Sequence, residues 1–127
     1  MRPKYSSKKE HQMSINIVYC FFSFLILHIA VWFSTNLQLM DSNLATKSFV
    51  IALALSVPTT VLAYMGTKFG YVAFGESAWS VRFFAFATSY LVFPILTWVF
   101  LGESMFTVKT MLCVLLSFLI IAIQMYL

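Results

Sequence analysis

The chain has 127 residues, of which 61% are hydrophobic and 9% charged, with a formal net charge of +4. A water-soluble domain carries about 25% charged residues, so this composition excludes a soluble fold, whose surface so few charges could not cover. The basic excess does not point to nucleic acid, because Arg2, Lys4, Lys8 and Lys9, half of the basic side chains, fall in the first nine positions. Beside an apolar run, such a cluster orients a membrane span and touches anionic lipid.

The apolar residues fall in four blocks with short polar breaks, which predicts an all-α, four-helix transmembrane bundle over residues 15–127 behind a basic cytoplasmic tail, residues 1–14. The first span is 15–33. It is longer than the 7–15 apolar residues (roughly) of a signal peptide, and no small-x-small cleavage site follows it, so it reads as an uncleaved anchor. A polar loop with Asp41 and Lys47 leads to the second span, 48–65. Pro58 lies in its middle, followed by Thr59 and Thr60. A mid-helix proline removes a backbone hydrogen bond and crowds the carbonyl four residues back. In lipid that carbonyl needs another partner, which a threonine hydroxyl could supply. The second helix is therefore expected to be kinked.

Residues 66–80 form the next connection, with Lys68, Gly70, Gly75 and Glu76. Tyr71, Phe74 and Trp79 place it at the membrane interface. The third span, 81–101, carries Pro94 and a second expected kink, and Gly102 ends it. Residues 102–107 leave room only for a tight antiparallel hairpin, with Thr107 as N-cap of the fourth span, 108–126.

With a cytoplasmic N-terminus, the inner side holds Arg2, Lys4, Lys8, Lys9, Lys68 and Arg82, and the outer side Lys47 and Lys109. Six against two predicts both termini inside. Cys20 and Cys113 then fall in opposite leaflets, too far apart for a disulfide, and serve as small hydrophobes.

The stretch Phe93-Pro94-Ile95-Leu96-Thr97-Trp98-Val99-Phe100-Leu101-Gly102-Glu103, followed by a final apolar helix, resembles the end of a repeat in the drug/metabolite transporter superfamily. The four-span size is similar to its small multidrug resistance branch. The resemblance covers residues 81–127 and implies transport of a small solute by an oligomer. The first span lacks the embedded glutamate of the small multidrug pumps, so a bulky cation is not the expected solute. The competing expectation is a non-transporting accessory or scaffold subunit packed against a larger membrane partner. The lipid bilayer is a partner in either case, nucleic acid in neither. A bacterial-type inner membrane is the expected location.

A transport site needs polar groups at depth, facing inward. His28, inside the first span, could relay protons or simply hydrogen-bond a neighbouring helix. Tyr64, Tyr90 and Trp98 could box a flat or cationic ligand or act as interface anchors and packing residues. Pro58 and Pro94 could be hinges, or could fix helix shape. Arg82 could pair with Glu76, reach lipid phosphate, or line a cytoplasmic vestibule. Glu103 reads as a structural charge just before the start of the fourth helix, with Lys109 as an alternative partner. There is no Ser-His-acid set, no paired catalytic carboxylates, no phosphate-binding loop and no metal spacing, so neither an enzyme nor a metal or cofactor protein is expected.

Overall fold

A computed structural model describes residues 4–40 and 42–127. Arg2 and Asp41 lie outside the described residues, as do the side chains of Lys4, Lys8 and Lys9. Helix α1 is Lys4–Asn36, followed by a 3-10 turn, Leu37–Leu39, and by α2, Ser42–Ala73. Helix α3, Ala78–Leu96, continues into a π-helical segment, Thr97–Leu101, and α4 is Val108–Tyr126. Four helical stretches are long and apolar enough to cross a bilayer: Glu10–Leu39, Ala45–Ala73, Ala78–Leu101 and Val108–Tyr126. The protein is an all-helical, multi-pass integral membrane protein.

Helices α1 and α2 pack side by side in descending register: Phe24 faces Gly66, Cys20 faces Gly70 and Tyr19 stacks near Phe69. They are antiparallel. Helix α3 enters this pair, and Cys20, Phe24 and Val81 form the buried core, with Leu27, Phe69, Phe74, Phe84 and Ala85 around them. Helix α4 lies against α3, outside the packing of the first three helices. Its Leu112, Leu115, Leu116, Leu119 and Ile123 are exposed, as expected of side chains whose solvent is hydrocarbon.

The second helix is longer than the expected span 48–65, because it runs on through residues 66–73. Gly66 and Gly70 read as loop residues in the sequence, yet they sit where α1 and α2 approach most closely. A Cβ on Gly66 would lie 2.8 Å from the Phe24 ring, and one on Gly70 would lie 2.8 Å from Cys20 Sγ. Their spacing is the GxxxG pattern, which lets helix backbones approach in a membrane. Tyr71, expected in a connecting loop, belongs to the same helix.

The connection shrinks to residues 74–77. Gly75 and Glu76 there adopt left-handed φ values of 65° and 64°, and Ser77 caps α3 by accepting a hydrogen bond from the Ser80 N–H at 3.2 Å. The third helix accordingly starts at Ala78 rather than at 81. The first helix begins at Lys4, so the described part of the basic segment continues into the span without a break.

The threonines after Pro58 do not serve the carbonyl that the proline leaves free. Pro58 deprives the Ala54 carbonyl of its donor, but the Thr59 and Thr60 hydroxyls both donate to the Ser56 carbonyl, at 2.9 and 2.7 Å. The reason is reach: a helical hydroxyl bonds the carbonyl three or four residues back, and from positions 59 and 60 that is residue 56.

Candidate functional site

The C-terminal end of α3 takes its shape from Pro94. Proline removes the donor that the Tyr90 carbonyl would receive, and one turn later the helix widens into the π-helical segment Thr97–Leu101. Such π turns recur at functional sites. Gly102, with φ 71°, closes the segment, its N–H donating to the Trp98 carbonyl at 3.1 Å and the Glu103 N–H to the Thr97 carbonyl at 3.4 Å. Only glycine takes that left-handed conformation freely. Thr107 then caps α4 by accepting from the Thr110 N–H at 3.3 Å, as its position predicts.

Between α3 and α4 this geometry leaves a cleft of about 360 Å³, lined by Tyr90, Pro94, Thr97, Glu103, Thr110 and Cys113 among others. Its inner wall is apolar and aromatic, and its outer rim carries the Glu103 carboxylate and hydroxyls. A second cleft, of about 270 Å³, continues along the same pair of helices and is lined by Phe83, Phe86, Tyr90, Ser117, Ile120 and Ile121. Tyr90 lines both. Its hydroxyl donates to Ser117 Oγ at 2.8 Å, and Ser117 Oγ donates onward to the Cys113 carbonyl at 2.8 Å. Its ring meets Phe118 at 5.5 Å. The tyrosine thus forms the partition between the two clefts.

His28 lies elsewhere, at the α1–α3 contact. Its Nε2 is 2.9 Å from the Ala85 carbonyl; a carbonyl only accepts, so that nitrogen carries the hydrogen. Thr88, buried, donates to the same carbonyl at 2.7 Å. One turn outward, buried Trp32 donates its indole N–H to Thr97 Oγ1 at 3.0 Å. Phe100 packs against both Trp32 and Phe33, at 5.6 and 5.5 Å between ring centres. A cleft of about 210 Å³ beside His28 is lined also by Trp32, Asn36, Ser89 and Phe93.

The structure brings Tyr90, Pro94 and Glu103 to one cleft and leaves the other singled-out residues apart. His28 and Tyr90 line different clefts. Tyr64, on α2, and Trp98, on the π-helical segment, are both exposed, at 68% and 63%, and do not share a cleft with Tyr90. Pro58 is exposed on α2. The Arg82 guanidinium lies over the Phe86 ring of its own helix, 4.8 Å from the ring centre, a cation–π contact. Sequence reasoning assigns no partner to Thr97, Ser117 or Thr88. Each is a small hydroxyl residue within an apolar run, which is the one signal that marks them as candidate cross-helix partners.

No family model, no curated protein and no solved structure matches the chain. The reading of these clefts therefore rests on their own chemistry.

Proposed function

We propose that this protein is a small transporter-like subunit of the drug/metabolite transporter type, moving a small solute along the α3–α4 interface as part of an oligomer. It sits in a bacterial-type inner membrane with both termini inside, and Pro58 and Pro94 kink α2 and α3. The observation that carries the reading is the pair of clefts in line on one helix–helix interface, divided by a single tyrosine. An alternating-access path needs two compartments and a barrier that moves between them. The Tyr90–Ser117 hydrogen bond is a barrier that side-chain rotation alone would open. Both clefts open sideways, so a second copy is required to close them off from lipid.

The test is solute uptake into proteoliposomes, with a panel of radiolabelled small solutes and wild type compared with Tyr90→Phe and His28→Ala. Tyr90→Phe keeps the ring but loses the partition's hydrogen bond, and transport should become several-fold faster or leaky. His28→Ala should leave the path along α3 and α4 intact. Absence of uptake for every solute would reject transport.

The second reading is the non-transporting accessory subunit. It is favoured by the way His28, Trp32 and Tyr90 spend their polar atoms on neighbouring helices rather than leaving them for a ligand. A larger membrane protein isolated with the chain in fixed proportion, together with silent vesicles, would establish it.

A further inference from the structure

We propose that the face of α2 formed by Thr60, Tyr64, Thr67, Lys68, Tyr71 and Val72 binds one anionic glycerophospholipid, its phosphate at Lys68 and an acyl chain along the helix toward Thr60. These residues recur at intervals of three and four and so share one helix face. They line a groove of about 660 Å³ that holds one cation and no acid. Its complement is an anion with an apolar body.

Depth selects a lipid over a soluble anion. Lys68 lies inside the apolar stretch Ala45–Ala73, five residues before its end, or about 7.5 Å along the axis. An ammonium there reaches outward to the headgroup layer, its stem lying on apolar surface. Tyr71 lies one turn nearer the helix end, at headgroup level, where tyrosines are favoured. Tyr64 and Thr60 lie one and two turns deeper, where a chain rather than a charge belongs. The groove thus runs from cation to apolar wall in the order in which a phospholipid runs from phosphate to chain, and it opens on the side of a membrane-crossing helix.

The same end of the bundle carries a second basic side chain. The contact of Tyr19 with Phe69, 5.2 Å between ring centres, sets the middle of α1 at the level of Lys68, so that the N-terminal turns of α1 extend past this end of α2. The four-residue connection puts Arg82, on the first turns of α3, at that end too. An anionic headgroup held at Lys68 adds counter-charge on a face of α2 that carries no acid of its own. The inference is independent of whether the α3–α4 clefts transport anything.

The experiment is native mass spectrometry of the full chain, released from mixed nanodiscs containing equal amounts of phosphatidylglycerol and phosphatidylcholine. Wild type should retain one phosphatidylglycerol in preference to phosphatidylcholine. Lys68→Gln should lower that retention about fivefold, the effect of one basic side chain at an anionic headgroup layer. Tyr64→Ala should lower it as well by removing the wall of the groove, and Lys109→Gln, at the opposite end, should leave it unchanged. Excess soluble glycerol phosphate should displace nothing. Equal retention of both lipids by wild type, undiminished retention in Lys68→Gln, or displacement by glycerol phosphate would each overturn the assignment.

Discussion

Gly70 is a tight point between the first two helices. A methyl group there would meet Cys20 Sγ at 2.8 Å and Val81 Cγ1 at 3.1 Å, and neither neighbour is the far end of a flexible chain. Gly70→Ala should therefore destabilise the protein by about 1–3 kcal/mol, the usual cost of overpacking a filled core. The measurement is the midpoint of unfolding in a denaturing detergent titration. Cys20→Ala, which takes away the sulfur, should recover part of the loss when combined with it; a double variant no better than Gly70→Ala alone would contradict this account. The cysteine's position in the core also explains why it remains a free thiol: Cys20 is buried and Cys113 is exposed on another helix. That arrangement agrees with the expectation drawn from their places in the chain.

The bounds of α4 follow the sequence reading residue for residue, and those of α2 do not. Helix α4 begins at a threonine cap and continues as one long, mainly apolar run, so local signals mark it out. In α2, a glycine has two meanings, a break in the chain or a place for another helix, and the chain alone does not say which neighbour will arrive. Phe24 and Cys20 arrive, and the helix runs on to Ala73. Tyr90 and Pro94 are legible in the sequence as a polar group at depth and a helix-breaking residue. The partner of Tyr90, Ser117, is not, because only the register of α3 against α4 brings positions 90 and 117 together. At the end of α3, Gly102 reads as a stop in both sequence and structure, and its φ of 71° supplies the reason. Gly102→Ala should cost about 1 kcal/mol, the penalty of a left-handed residue with a Cβ. It should also loosen the α3–α4 hairpin specifically. Faster backbone amide exchange over Leu101–Val108 than in the α1–α2 contact would show this, and uniform change across all four helices would contradict it.

Counted along the sequence, most of the basic residues belong to the end of the bundle from which α1 enters. Lys68 and Arg82 flank the α2–α3 connection, at the end from which α1 enters, while Lys47 and Lys109 belong to the other end. If the positive end faces the cytoplasm, a membrane-impermeant maleimide applied to intact cells should label Ser104→Cys, in the exposed α3–α4 turn. It should reach Ala78→Cys only after the membrane is opened, both variants being made in a chain whose native cysteines are alanine. The reverse pattern would invert the topology and move the phospholipid proposed at Lys68 to the outer leaflet. The four crossings are readable from composition because lipid tolerates so little charge. The division of labour among the helices is not, because each of them exposes large apolar side chains and only the register of packing selects its neighbours.

That division has a consequence for assembly. Since, among the described residues, the last helix packs chiefly on its predecessor, the mutual contacts of the first three helices do not depend on the final crossing. That arrangement leaves one wall outside the shared scaffold, and the two clefts divided by Tyr90 lie behind that wall.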